Sequence, residues 1–467
     1  MKKLKLLVWL ASLLAVAATL HGLTIRVPFL PDPAEPPAVA QVRQPVEVPQ
    51  PPRDVDGAIR WSVRPTHGAA LPSSEAHVLI TLDADRLAPV ARAPINLALV
   101  LDRSGSMSAR HKLEYAKAAA HLVIDQLAKG DRVALVAFDS VSTILLPSSP
   151  VGDKAALHAA VDSISPGGST NISGGLMDGL AEMQRGMNRE HVNRVLLLTD
   201  GLSNFGETSL DAFAKLARTA ASSGIAISTV GLGAEFSEDV LTTIAEHSGG
   251  HYYYVDNPEQ MTAIFSGEVH GMQAVVARDV RVRLEGVDAV VEQVIGYRGP
   301  AMAPGAPLAL GDMYSGQQRT LVVRVRMPQA SSGGVRVRLT YQDARRKREV
   351  SGEKFAVIRG TDSVANVDAS VDRDVLEKVE SVRAAARMEE AMTQLDHGDR
   401  AACERLITQQ LGSTKRTNDL VVRSRQLDKQ MSVMKQALDQ LQGLKTDSDD
   451  LHSYVKANKA AAYELTR

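Results

Sequence analysis

Asp102, Ser104 and Ser106 occupy alternate positions in the stretch LVLDRSGSMS, directly after a run of aliphatic residues. In extended backbone every second side chain points the same way, so these three form a short comb of oxygen donors. Gly105 leaves the backbone free to curl around whatever the comb holds. Two further oxygen-bearing residues join them: Asp200, which ends RVLLLTD, and Thr170, in the glycine-rich stretch SPGGSTNISGG. Two carboxylates and three hydroxyls are hard donors. Magnesium suits such a set, because it takes six oxygens, keeps some waters and is usually held by one or two carboxylates. Calcium asks for more carboxylates and ranks lower, with manganese between the two. The plainer reading is that Asp and Ser populate loops, and that Thr170 or Ser173 caps the next helix. That reading leaves two carboxylates clustered with no Lys or His in the motif segments to pair them, while Arg103 alternates away. Bare carboxylates in a crevice need a compensating cation, so a metal site is expected.

A sheet must position these residues. INLALVL, at 95–101, is an unbroken aliphatic run, as expected of a strand covered on both faces. Helical segments at 112–127, 154–164, 173–187, 210–222 and 238–247 alternate with apolar strands at 132–138, 194–199, 225–232 and 251–255. This alternation predicts an α/β fold with a doubly wound, mostly parallel, Rossmann-like sheet. Ligands of such sheets bind outside the carboxyl ends of the strands. Asp102 and Asp200 each close a strand and therefore share that edge.

With these residues in view, the segment resembles a von Willebrand factor A domain. The resemblance rests on DRSGSM, GGSTNI and LLLTDG, in that order, which look like the three parts of that family's metal-ion-dependent adhesion site, or MIDAS. It implies that Asp102, Ser104, Ser106, Thr170 and Asp200 coordinate the metal, the Asp residues partly through water. It also implies binding to a protein ligand that offers an Asp or Glu to the ion's open position. The wider arrangement resembles bacterial proteins with an inter-alpha-trypsin-inhibitor-like or YfbK-like layout.

The rest of the chain divides by composition. Residues 1–25 place Lys2, Lys3 and Lys5 ahead of an apolar run that carries the small residues Ala15, Ala17 and Ala18, the pattern of an export signal. As a helix the run from Leu6 to Leu20 covers about 22 Å, short of the roughly 30 Å of a bilayer core, so a cleaved signal peptide and a retained signal anchor both stay open. Residues 26–56 are a proline-rich linker that reads as a semi-rigid spacer. Strands are expected over 57–93, the A-type domain over 94–270 and a β-sandwich over 271–360, where RDVRVRLEG and GGVRVRLTYQD alternate strictly. The A-type domain is expected in or beside that sandwich. Residues 365–467 read as helical, opening with a hairpin faintly like a tetratricopeptide unit. Leu420, Leu427, Met431, Met434, Leu438 and Leu441 then fall on one stripe, suited to an intramolecular bundle or to an oligomer through the C-terminal helices.

Formal net charge of −1 on 467 residues gives no pull toward nucleic acid, and the single cysteine, Cys403, excludes an internal disulfide and cysteine-rich zinc sites. No GxSxG, HExxH or GxxxxGKS motif occurs. His247 and His251 are four apart, but Gly249 and Gly250 break the helix that would align them. The expectation is a non-enzymatic, metal-dependent protein-binding or adhesion module, exported to the periplasm or cell envelope, with membrane contact only through its N-terminal segment. An assembly or chaperone-like factor working with an envelope complex or ATPase is the alternative, and a metal-assisted hydrolase a third.

Overall fold

The computed structural model describes residues 57–86, 92–233, 235–297, 305–327, 332–443 and 449–466. The expected signal segment and proline-rich linker, 1–56, lie outside the described residues. The chain runs through β1 (Ile59–Pro65), β2 (Ala69–Ala70) and β3 (Glu75–Ala84) before β4 (Ile95–Asp102), all eight residues of which are buried. It continues as α1 (Lys112–Gln126), β5 (Arg132–Phe138), β6 (Ser142–Pro150), α2 (Lys154–Asp162), α3 (Ile172–Arg185) and β7 (Val192–Thr199). Then follow α4 (Leu210–Ser222), β8 (Ala226–Leu232), α5 (Glu238–Ser248), β9 (Tyr252–Val255) and α6 (Met261–Gln273).

These strands form one sheet in the order β6-β5-β4-β7-β8-β9. Alternation along β4 explains its burial. Ile95, Leu97, Leu99 and Leu101 pack with Leu113 and Val123 of α1 and Phe265 of α6, while Ala98 and Val100 pack with Ile172 and Leu176 of α3 on the other face. A Cβ added at Gly179 of α3 would lie 2.5 Å from Val100, so this glycine lets the helix sit close to the sheet. All neighbours are parallel except β6, which runs antiparallel to β5. Neither β6 nor α6 was expected from sequence. Pro147 and Pro150 mask β6, and an edge is where a strand tolerates proline; Gly267 and Gly271 weaken the helical signal of α6.

The chain then builds β10 (Val275–Val287), β11 (Val290–Ile295), β12 (Pro307–Tyr314), β13 (Gln318–Arg326), β14 (Gly333–Asp343) and β15 (Arg348–Gly360). A four-stranded sheet, β1-β3-β13-β11, faces a five-stranded one, β12-β10-β14-β15-β2. Inward Val and Leu from both fill the core between them. Because β3 pairs antiparallel with β13, the α/β domain is inserted within the sandwich. The outer arginines pair with acids across strands, Arg336 with Glu285 and Arg338 with Glu353.

Helices α7 (Val364–Ala369), α8 (Arg373–Asp396), α9 (Arg400–Thr417), α10 (Arg425–Gly443) and α11 (Asp449–Thr466) end the chain. Met388 and Met392 of α8, Ile407 of α9, Met434 and Leu441 of α10 and Val455 of α11 share one core. Leu420 does not belong to that stripe. A π-helical turn spans Asn418–Val422, Arg423 is left-handed at φ 57°, and Leu420 is 77% exposed. Asn418 causes the break: its Oδ1 accepts from Ser424 N at 2.6 Å and its Nδ2 donates to Asp428 Oδ1 at 2.8 Å, which starts a new helix. No helix among the described residues is long and apolar enough to cross a membrane.

A buried charge network joins the α/β domain to the sandwich. Arg194 of β7, fully buried, donates to Asp312 Oδ2 (3.3 Å) and Tyr314 Oη (3.2 Å) of β12 and to Ser228 Oγ (3.3 Å) of β8. Ser228 in turn donates to Glu268 Oε2 at 3.1 Å, and Tyr253 to Glu268 Oε1 at 2.5 Å. Burial would raise the Glu268 carboxyl, but His251 and Arg194 outweigh it and hold the group down to about 2. His251 therefore serves the joint, while His247 Nδ1 bonds the Thr243 carbonyl within α5. Removing one member strands buried partners, so Arg194→Ala is expected to cost about 3–5 kcal/mol of stability. Urea unfolding followed by Trp61 fluorescence measures it, and a loss below about 1 kcal/mol would mean that water reaches the joint.

Candidate metal site

Between β5 and β7, β4 stands where the strand order reverses, and the crevice opens there at the carboxyl ends of the strands. The parallel register sets Leu101 opposite Leu198, so Asp102 ends β4 beside Thr199, and Asp200 follows at once. Both carboxylates are fully buried. Thr199 Oγ1 donates to Asp102 Oδ2 at 2.5 Å, and Ser104 N donates to Asp102 Oδ1 at 2.7 Å. The Ser106 hydroxyl donates to Asp200 Oδ1 at 2.7 Å, and Ser104 Oγ lies 3.1 Å from Ser106 Oγ.

The glycine-rich loop is tied to the same place by backbone. Gly105 N donates to the Gly168 carbonyl at 3.1 Å and Gly167 N to that of Arg103 at 2.8 Å. Thr170 N donates to Asn204 Oδ1 at 3.0 Å, and a Cβ added at Gly201 would lie 2.8 Å from Thr170 Oγ1. Close approach of Thr170 to the residue after Asp200 thus depends on that glycine. All five residues read from the sequence, Asp102, Ser104, Ser106, Thr170 and Asp200, are brought together at one edge. Neither Thr170 nor Ser173 caps α3; Asn171 does, its Oδ1 accepting from Gly174 N at 2.9 Å.

One expectation needs correction. The carboxylates are not left without a cationic side chain: Lys112 Nζ donates to Asp200 Oδ2 at 2.5 Å. Its position follows from the loop after the comb, where Gly105–His111 form a 3-10 turn and Arg110 and His111 are left-handed, with φ of 53° and 57°. That turn brings the first residue of α1 back over the site. Arg103, as expected, faces away and pairs with Asp139 at 3.1 Å.

Among the described residues no cationic side chain pairs with Asp102. Burial pushes its carboxyl up to about 6, against the hydrogen bonds from Thr199 and Ser104, and neighbouring Asp200 adds to the rise. Among the described residues no three His, Cys, Asp or Glu side chains group to hold an ion, so a metal here relies on hydroxyls beside the two carboxylates. That set fits a hard divalent cation with bound waters. Asp102, Ser104, Ser106, Thr170 and Asp200 would hold it, directly or through water, and the ion would supply an electrophilic position open to an incoming oxygen.

Comparison with known proteins agrees with this geometry. Residues 96–267 match the model of the von Willebrand factor type A domain, and this segment is such a domain. Members of that family commonly bind a divalent metal at the adhesion site and often act as metal-dependent protein-interaction modules. The uncharacterized protein YfbK of Escherichia coli is 32% identical over 205 residues, which are 43% of this chain and 36% of YfbK. The uncharacterized protein sll0103 of Synechocystis is 31% identical over 276 residues, 57% of this chain and 65% of that one. The alignments thus span less than two thirds of either relative. A von Willebrand factor type A protein of Catenulispora acidiphila shares the fold over 87% of this chain and 96% of its own, with a TM-score of 0.66 at 18% identity.

Two substitutions test the electrostatics. Because the folded-state pKa of Asp102 is raised, folding favours its protonated form; the associated stability is present below about pH 4 and is lost as pH climbs through about 6. Asp102→Asn is therefore expected to stabilise the metal-free protein by about 2 kcal/mol at pH 7.5, with the gain shrinking toward pH 4.5, and to abolish divalent-ion binding. Thermal denaturation with chelator at both pH values measures the first effect. Lys112→Met, which frees Asp200, is expected to tighten magnesium binding roughly tenfold in titration calorimetry.

Proposed function

We propose that this protein is an exported, metal-dependent protein-binding module of the bacterial cell envelope. A divalent cation, magnesium by preference, is held by Asp102, Ser104, Ser106, Thr170 and Asp200 and bridges to an Asp or Glu of the partner. The observation that carries this reading is the convergence of two fully buried carboxylates and three hydroxyls from three loops at one open sheet edge. A metal held by so few charges keeps residual positive charge and exchangeable water, which a carboxylate can replace.

The surface beside the site supports a protein ligand. Leu202 and Phe205, in the loop after Asp200, are 58% and 53% exposed, and Val141, after β5, is exposed on the same edge. Apolar side chains set around a charged centre suit a partner whose acid enters the middle while its apolar groups cover the rim. Binding rather than turnover is supported by the engagement of the two serines, whose hydroxyls contact each other while that of Ser106 also donates to Asp200. The Lys-rich start and apolar run of the sequence support export.

Pull-down from an envelope fraction tests the reading. Wild-type protein with magnesium is expected to capture a partner that is lost with chelator, regained on adding magnesium and absent with Asp102→Ala. Phe205→Ala is expected to weaken that capture while magnesium affinity stays unchanged. Capture that ignores chelator would overturn the metal bridge.

A further inference from the structure

His121 of α1 and His158 of α2 meet on the surface of the α/β domain, their Nδ1 atoms 2.6 Å apart and their ring centroids 4.7 Å apart. Each ring also reaches across to a carboxylate on the other helix. His121 Nε2 lies 2.9 Å from Asp162 Oδ1 of α2, and His158 Nε2 lies 3.0 Å from Asp125 Oδ1 of α1. Each helix thus carries a histidine and, four residues on, an aspartate, and the pairs are crossed. Lys117 and Lys154 bond the main-chain carbonyls of Asp162 and Asp125, which leaves the bonded carboxylate oxygens to the rings.

Tautomer bookkeeping shows what this clasp lacks. Both Nε2 atoms face carboxylate oxygens, so both must carry protons. A neutral imidazole has only one N–H, which leaves both Nδ1 atoms as lone pairs aimed at each other. Two acceptors at that separation repel unless a positive charge lies between them. A shared proton would satisfy both lone pairs by making one ring an imidazolium, and a metal ion would satisfy both while leaving each ring neutral. A carboxylate on the far ring nitrogen is moreover the arrangement that orients a metal-bound histidine and raises its basicity.

The geometry points to a transition-metal site of the zinc or copper class, with His121 Nδ1 and His158 Nδ1 as ligands and Asp162 and Asp125 as their supports. Imidazole nitrogens select such ions over magnesium. At Zn–N bonds of about 2.0–2.1 Å and a tetrahedral angle, the two nitrogens stand about 3.3 Å apart, so the rings need part by only about 0.7 Å. Their side chains are about a quarter exposed, at 27% and 28%, and have room to do so. Among the described residues no third His, Cys, Asp or Glu completes the set, so water fills the remaining positions and micromolar rather than tighter binding is expected. The site is separate from the oxygen site: His121 is nine residues, about 13 Å along α1, from Lys112.

Titration calorimetry of the full chain with Zn2+, in excess Mg2+ to fill the oxygen site, tests this. One zinc ion is expected per chain, retained by Asp102→Ala and weakened at least tenfold by His121→Ala and by His158→Ala. Copper titration of the unaltered protein, read by electron paramagnetic resonance, is expected to show two coordinated nitrogens and needs no variant to fold. No zinc bound in excess magnesium, zinc binding unchanged by either histidine substitution, or zinc binding lost with Asp102→Ala would each overturn the site. So would a copper spectrum without nitrogen couplings, which would leave the histidines sharing a proton only.

Discussion

The parallel register of β4 against β7 is the constraint from which the rest of the site follows. It sets Asp102 beside Thr199 and puts Asp200 one residue beyond, so two acidic side chains leave the sheet together at a fully buried position. A slip of one residue would turn every side chain of β4 to the opposite face and send the carboxylate into apolar packing. The sheet interior forbids that slip, because both faces of β4 are covered by separate apolar clusters. Hydrophobic packing therefore sets the electrostatics: the aliphatic residues before Asp102 fix where the charge must emerge.

The same strand also faces the sandwich. Near its start β7 carries Arg194, whose charge is satisfied by Asp312 and Tyr314 of β12, and just past its end comes Asp200. Six residues of strand, about 20 Å, separate the joint from the carboxylate edge. A buried ionic joint is directional in a way that an apolar one is not, since its partners must meet at hydrogen-bond distance. The C-terminal helices add a second brace: Lys456 of α11 donates to the Phe236 carbonyl at 2.6 Å, and Tyr463 packs edge-on against Tyr252.

Much of this was legible in the sequence because it rests on periodicity and on strand ends. Alternating helices and aliphatic strands announced the layered sheet, and aspartates at two strand ends announced a shared edge. Other features were hidden for particular physical reasons. Edge strand β6 contains prolines that argue against a strand anywhere but at an edge. Leu420 kept the helical spacing of its neighbours, yet Asn418 offered the backbone better local hydrogen bonds and broke the helix. Lys112 reaches Asp200 through two left-handed residues, Arg110 and His111, a conformation that residue types other than glycine and asparagine rarely signal. The meeting of His121 with His158 needs the packing of α1 on α2 and leaves no trace in local sequence.

Insertion of the α/β domain into the sandwich has a mechanical consequence. The polypeptide enters at the amino end of β4 and the carboxylate edge lies at its carboxyl end, so a pull applied between the two runs lengthwise down a central strand. Seven residue pairs on each side resist it together. That is shear rather than unzipping: the flanking backbone bonds must give way at once and not one after another. Since the chain also returns to the sandwich through β10, such a pull is divided between two covalent crossings.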